Sequence, residues 1–266
     1  MSRKFAVVTT FHKAGYESYG KRMINTFLQN WPKEVELWVY IEDVSVDERE
    51  DGRLFVLRES NELEKFVAQW KDVPKANGDI SSVPRLASRK DSHKPFKWQA
   101  IRFAHKVYAI FDCAKRSNAD VLMWMDADTV CHSPITLDKI EELVPDVDLC
   151  YLGRQGKYSE CGLYAMDLRS PGTQSFLKEF QRMYDDAENG IFTLDEWHDS
   201  YVFDDVRLRT KPKEYNWSAG IIRGEGHPLI NCEWGAYLDH LKGDRKSSGK
   251  SLAKDLRVKR TEKYWQ

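Results

Sequence analysis

Apolar positions along the chain follow two different periods. Short runs of apolar and β-branched residues predict strands at 5–10, 35–41, 54–57, 121–125, 149–152 and 163–166. Apolar residues spaced by three or four predict helices at 23–31, 63–70, 96–114, 176–184 and 197–203. Strands alternate with helices through the first half, an order typical of a parallel sheet covered on both faces. The pattern therefore predicts an α/β fold with a mainly parallel sheet.

Two segments depart from this alternation. Residues 73–95 are polar and contain three prolines, which predicts a long loop. Residues 240–266 hold nine Lys and Arg against three acidic residues, a net charge of +6 that leaves −7 for residues 1–239. We therefore divide the chain into a main domain, 1–239, and a basic C-terminal segment, 240–266.

Composition narrows the classes of protein. At 266 residues and 41% hydrophobic, the chain can bury a full core without disulfides. Its 41 basic and 42 acidic residues balance, so the whole chain is not a polycation. No uncharged apolar run approaches the roughly 18–20 residues that span a bilayer. The five cysteines are widely spaced, and we expect a reducing, cytoplasmic setting without a transmembrane segment.

A pair of carboxylates follows the most apolar predicted strand. Asp126 and Asp128 come directly after residues 121–125, and residues two apart in an extended chain point to the same side. At the carboxyl end of a strand they could bind Mg²⁺ or Mn²⁺ together with a substrate phosphate. The tripeptide D-x-D alone is uninformative, because a second copy at 146–148 precedes a predicted strand as a polar segment. An exposed turn is the alternative interpretation.

A second pattern lies in the basic segment, where His240, Gly243 and Lys246 form H-x-x-G-x-x-K. An imidazole would complete a metal site and favour Mn²⁺ over a purely oxygen-seeking ion. Glycine lets the backbone approach a phosphate closely, and lysine supplies a point charge to a diphosphate. A lysine-rich segment also produces such a pattern by chance.

Together the two patterns resemble the GT-A glycosyltransferases, most closely the retaining glycogenin and lipopolysaccharide galactosyltransferase group. The resemblance implies a GT-A-like, Rossmann-like fold and a nucleotide-sugar donor, with a UDP-sugar as the leading candidate. It implies Mn²⁺ (or Mg²⁺) bound by Asp126, Asp128 and His240, with Lys246 on the donor phosphate. The chain departs from the group where an Asn-x-Gly segment is usual, having Glu160-Cys161-Gly162 instead.

The resemblance implies further roles. The base and ribose would be held by Thr9, Thr10 and Asp43, and the donor would be contacted by Lys97 and Arg102. Asp199 would be the catalytic acidic residue that contacts the donor sugar or the acceptor. Each has a plainer alternative: a strand-to-loop transition, a solvated helix face, or an acidic helix start.

The acceptor is open at this stage: a glycan, a protein or a modified nucleic acid. A different class of function is a nucleic-acid-binding protein, based on the basic C-terminal segment and the basic residues of 84–97. The two hypotheses merge in a glycosyltransferase that acts on modified DNA bases. A nucleotidyltransferase also needs paired carboxylates, but the chain lacks a glycine-rich phosphate loop after its first strand.

Overall fold

The computed structural model describes residues 2–46, 51–86, 88–91, 93–221 and 226–266. The strands are β1 (Phe5–Phe11), β2 (Glu36–Ile41), β3 (Leu54–Arg58), β4 (Val121–Met125), β5 (Thr129–Cys131), β6 (Leu149–Tyr151), β7 (Leu163–Asp167), β8 (Glu214–Asn216) and β9 (Leu238–His240). The α-helices are α1 (Lys13–Gly15), α2 (Lys21–Asn30), α3 (Asn61–Trp70), α4 (Ala100–Arg116), α5 (Leu137–Leu143), α6 (Pro171–Asp185), α7 (Asp199–Thr210), α8 (Pro228–Asn231) and α9 (Arg245–Ser248). Tyr16–Gly20 forms one π-helical turn.

The central sheet has the strand order β3-β2-β1-β4-β7-β6-β8. The first four strands run parallel to one another, β7 is antiparallel to both β4 and β6, and β8 is parallel to β6. The predicted α/β class with a mainly parallel sheet is therefore confirmed. The carboxyl ends of β1, β2 and β4 meet at one edge, where open sheets of this type bind ligands.

Both faces of the sheet are covered by helices, as predicted. Successive side chains of a strand point to opposite faces, so β4 contributes Trp124 to one hydrophobic core and Met123 to another. The first core includes residues of α3, α4, α6 and α7, and the second includes residues of α2, α5 and α8. Because β4 is buried on both faces, its five residues are all apolar.

The helix predicted from residue 96 begins later. Pro95–Trp98 forms a 3-10 turn, and α4 starts at Ala100. Phe96 is consequently 47% exposed instead of packing in the core. In the described part of residues 73–95, predicted as a loop, the helical structure is the 3-10 turn Pro74–Asn77 and Pro95, the first residue of the next 3-10 turn.

A separate two-stranded sheet joins distant parts of the chain. β5 and β9 pair antiparallel, and Thr129 lies opposite His240. This pairing attaches the start of the basic C-terminal segment to the turn that follows β4. Among the described residues, no helix combines the length and apolar character needed to cross a membrane.

Candidate metal and donor site

The turn between β4 and β5 orients the two predicted carboxylates. The backbone N–H of Asp126 donates to the carbonyl oxygen of Gly162 at 2.9 Å. The indole N–H of Trp124 donates to Oδ1 of Asp126 at 2.7 Å. Asp126 is thus held on two sides, and Asp128 follows two residues later in the same turn.

The β5–β9 pairing brings His240 to these carboxylates. Its Nε2 lies 3.0 Å from Oδ1 of Asp128 and 3.5 Å from Oδ2 of Asp126, and the ring is only 1% exposed. Gly162 makes room for the ring, because a Cβ at that position would lie 2.5 Å from Cε1 of His240. Two neighbouring aspartates and a histidine more than 110 positions later therefore converge at one point.

These three side chains fit a divalent cation. One ligand atom from each of Asp126, Asp128 and His240 lies within 4.8 Å of the others. Two carboxylate oxygens and one imidazole nitrogen suit Mn²⁺ and leave coordination positions for a substrate's phosphate oxygens. Burial alone would lower the pKa of His240, but the charges of Asp128 and Asp126 raise it above its ordinary value.

Two lysine side chains form ion pairs with the two carboxylates and offset their negative charge. The Lys246 ammonium lies 3.0 Å from Oδ2 of Asp128, and the Lys106 ammonium lies 3.1 Å from Oδ1 of Asp126. Although burial raises the pKa of Asp128, the opposing charges of His240 and Lys246 bring it far below its ordinary value. Lys106 was not predicted; its sequence signal is a lysine on the apolar stripe of α4, three residues after Phe103.

Lys106 connects the carboxylate pair to Asp199. Its ammonium lies 2.7 Å from Oδ2 of Asp199 and 2.5 Å from the carbonyl oxygen of Cys161. Asp199 is the first residue of α7, and the side chain of His198 caps that helix by accepting from the N–H of Tyr201. Burial would raise the pKa of Asp199, but Lys106 and His198 hold it well below its usual range. Asp199 is therefore an ionised, paired carboxylate.

The predicted nucleoside-binding residues lie at the ends of neighbouring strands. Thr9 is buried, and its hydroxyl has no hydrogen-bond partner among the described residues. Thr10 donates from its hydroxyl to the carbonyl oxygen of Tyr40 at 3.0 Å. Asp43 follows β2 and accepts from the N–H of Lys13. Gly243, in the loop after β9, has a φ of +64°, which favours glycine.

The predicted donor contact Lys97 lies in the 3-10 turn before α4, and Arg102 lies in α4 itself. The Lys97 ammonium pairs with Asp91 at 2.6 Å and with Glu196 at 2.7 Å. Arg102 donates to the side-chain oxygen of Gln99 at 3.5 Å, and its guanidinium lies 5.9 Å from the ring centre of Phe103. Within the described ranges, neither cation forms a salt bridge with the aspartates of the metal site.

A buried glutamate was missed by the sequence reasoning. Glu160 is 3% exposed and accepts from the Lys242 ammonium at 3.0 and 3.2 Å. Its carboxylate also lies 3.4 Å from Nη1 of Arg154, 3.7 Å from Nε2 of His227 and 4.0 Å from Nδ1 of His240. Burial would raise the pKa of Glu160, but the neighbouring positive charges, including those of Lys242 and Arg154, lower it. The only sequence signal was its position in the segment that replaces Asn-x-Gly.

Comparison with known proteins gives low similarity. No family model matches the chain, and no curated protein matches it. Among solved structures, the glycosyltransferase GlyE of Streptococcus pneumoniae TIGR4 has a TM-score of 0.46 at 11% identity, covering 81% of this chain and 45% of its own. Mouse xyloside xylosyltransferase 1 in its apo form has a TM-score of 0.43 at 10% identity, covering 80% of this chain and 84% of its own. The chain thus spans less than half the length of GlyE.

Proposed function

We propose that the protein is a metal-dependent glycosyltransferase that moves a sugar from a nucleotide-sugar to an acceptor. UDP-sugars are the leading candidates for the donor. The observation that carries the proposal is the convergence of Asp126, Asp128 and His240, with Lys246 beside them. These residues come from two distant parts of the chain, and the fold assembles them at the ligand-binding edge of the sheet.

The chemistry of transfer fits these residue types. When the bond between the sugar and the diphosphate breaks, negative charge develops on the leaving group. A divalent ion, preferably Mn²⁺, would neutralise that charge as a Lewis acid. Asp126, Asp128 and His240 would hold the ion, and Lys246, on its flexible stem, would bind a phosphate oxygen. Gly243 lets the preceding backbone turn toward the same place.

The sugar would lie beside Asp199, which contacts Lys106 and is thereby oriented toward the metal ligands. Because its pKa is held low, Asp199 stays ionised and is a poor general base. It can accept hydrogen bonds from sugar hydroxyls or stabilise positive charge on the sugar. This arrangement supports transfer with retention of configuration, which requires no strong base on the far face of the ring.

The base and ribose would lie along the carboxyl ends of β1 and β2. The unpartnered, buried hydroxyl of Thr9 supports this placement, because a buried donor without an acceptor is costly. Thr10 and Asp43 lie at the same edge of the sheet.

One part of the nucleic-acid hypothesis is disfavoured by the structure. Arg85 pairs with Asp195, and Arg89 pairs with Asp91 and Glu196. Three of the five Lys and Arg residues of 84–97 (Arg85, Arg89 and Lys97) are thus paired with carboxylates, which weakens their attraction for a phosphate backbone.

The test is a donor screen with matched variants. Wild-type protein is expected to be stabilised thermally by UDP with MnCl₂ and to release nucleotide from one nucleotide-sugar in a metal-dependent reaction. Asp126→Asn or Asp128→Asn should abolish that release, at least about 100-fold, and leave the fold intact. Asp146→Asn, in the other D-x-D copy, is the control and should retain it. Full metal-dependent release by Asp126→Asn, or pyrophosphate release from nucleoside triphosphates alone, would contradict the proposal.

A further inference from the structure

A cationic cleft lies beside the candidate metal site. Its volume is about 290 Å³, and the charged residues that line it are Arg154, Lys157, Arg245, Lys254, Arg257 and Asp255. Four of the six belong to the basic C-terminal segment. Arg154 and Lys157 come from the loop after β6, where they flank a short turn closed by a β-bridge.

The described charged residues that line the cleft are mostly positive, and their charges are only partly paired. Its single carboxylate, Asp255, is occupied by Arg245 in a bidentate pair at 2.6 and 2.8 Å. Lys254 and Arg257 form no salt bridge within the part of the chain that the structure describes, and both are exposed. A concave surface with unpaired cations concentrates anions, and guanidinium groups match phosphate oxygens in geometry.

The cleft shares its wall with the metal site. Arg154 lies 3.4 Å from Glu160, and Glu160 in turn contacts Lys242 and faces His240. The short helix α9 contributes to both places, because Arg245 points to Asp255 in the cleft and Lys246 points to Asp128. A molecule bound in the cleft would therefore lie next to the donor.

We propose that this cleft binds a phosphate ester on the acceptor, so that the acceptor is a phosphate-bearing molecule. The inference rests on the proposed function for the adjoining donor site. It is also supported by contrast: Arg85, Arg89 and Lys97 pair with carboxylates. Within the described part of the chain, neither Lys254 nor Arg257 forms such a pair. The phosphate could belong to a small molecule or to a nucleic-acid strand, and the two are separated by experiment.

The experiment measures binding without divalent metal, using inorganic phosphate and a fluorescent single-stranded oligonucleotide as probes. We expect the double variant Lys254→Gln with Arg257→Gln to weaken phosphate binding by about tenfold or more. The matched control is Lys259→Gln with Lys263→Gln, which removes the same charge from exposed positions of the same segment outside the cleft. The control should bind as the wild type does.

Each outcome bears on the proposal. If both probes bind and both are weakened by the cleft variant alone, the acceptor phosphate belongs to a strand; if only inorganic phosphate behaves so, it belongs to a small molecule. Equal weakening by cleft and control variants, or no binding of either probe to wild type, overturns the proposal. Loss of stabilisation by UDP with Mn²⁺ in the cleft variant also overturns it, because the cleft would then belong to the donor site. The proposed function fails separately, if wild-type protein shows no response to UDP and Mn²⁺.

Discussion

At the residue scale, Lys246 has two competing partners. Its ammonium pairs with Asp128 and lies 4.5 Å from the ring centre of Tyr19. The side chain is 37% exposed, far more than His240, so it can move. In the proposed function, Lys246 would repel a cation from Asp128 when no diphosphate is bound. When a diphosphate is bound, the ammonium would transfer to its phosphate. Lys246 should therefore make metal and nucleotide bind cooperatively.

Replacing Lys246 with methionine tests this coupling. We expect Lys246→Met to bind Mn²⁺ alone about fivefold more tightly, the contribution of a partly exposed ion pair, and to lose the strengthening by UDP. Electron paramagnetic resonance of free Mn²⁺, with and without UDP, measures both. Lys250→Met is the control, because Lys250 also lies over a tyrosine ring, at 5.0 Å from Tyr264, and does not contact the metal ligands. Unchanged or weaker binding of Mn²⁺ alone would rule out the competition.

Gly162 sets the position of the imidazole. A Cβ there would lie 2.5 Å from Cε1 and 2.6 Å from Nδ1 of His240, closer than atoms can pack. Gly162→Ala should therefore displace the ring and weaken Mn²⁺ binding by roughly tenfold or more, as other changes around metal ligands do. Gly52→Ala is the control, since nothing lies within 4 Å of a Cβ there. Calorimetric titration with Mn²⁺ measures the affinities. Equal affinities of Gly162→Ala and wild type would contradict this role of Gly162.

The sequence indicated some of these residues and not others, for a physical reason. Asp126 and His240 stand in short patterns whose spacing reflects local backbone geometry. Lys106 and Glu160 stand in no such pattern, and their importance arises from burial against partners distant in sequence. Lysines and glutamates are usually solvated, so their burial could be learned only from the fold.

At the scale of elements, β9 is tied to the C-terminal segment through one buried carboxylate. Asp239 is fully buried and accepts from the N–H and hydroxyl of Ser251 at 2.8 and 2.6 Å, and from the hydroxyl of Tyr264 at 2.8 Å. The next residue in the strand is His240. The contacts that hold the C-terminal segment therefore also fix the strand that carries the imidazole.

Weakening the hydrogen bonds of the Asp239 carboxylate should destabilise both β9 and the C-terminal segment. Asp239→Asn replaces a charged acceptor of three hydrogen bonds by an amide, and we expect a loss of about 2 kcal/mol in the free energy of unfolding. Hydrogen exchange should accelerate in β9 and in residues 251–264 more than in β4. Glu262→Gln, which alters the contacts of this side chain with Arg260 at 3.4 Å and with the N–H of Thr261 at 3.0 Å, should change neither. Exchange unchanged in β9 would show that Asp239 does not anchor the strand.

The differences between predicted and observed elements have a common cause. The missed strands β5, β8 and β9 have three residues each, too few to show a period. The equally short β6 was predicted because it forms a continuous apolar run. The antiparallel direction of β7 depends on the path of the connection before it. The sheet and its covering helices were predictable from the long, strongly periodic segments. In those segments the local pattern agrees with the packing of the whole fold.

At the scale of the whole molecule, buried neutral histidines link stability to pH. The ring of His132 stacks on Tyr264 of the C-terminal segment with 3.9 Å between centroids, and burial lowers the pKa of His132 from 6.5 to about 4. Burial likewise lowers the pKa of His227 to about 3. In the unfolded chain both rings take up a proton below about pH 6.5. Between that pH and about 4 the unfolded state binds more protons, so stability is full above this window and falls with falling pH.

A substitution that removes the titration but keeps the ring isolates this effect. His132→Phe can still stack on Tyr264, and we expect the free energy of unfolding of this variant to fall less steeply than that of wild type between about pH 6.5 and 4, by up to about 2 kcal/mol over the window. Urea unfolding at a series of pH values measures the slopes, whatever the variant's stability at neutral pH. His93→Phe, at an exposed position, is the control. Its free energy of unfolding should change with pH as steeply as that of wild type. If that of His132→Phe changed as steeply, the docked C-terminal segment would not depend on a neutral imidazole.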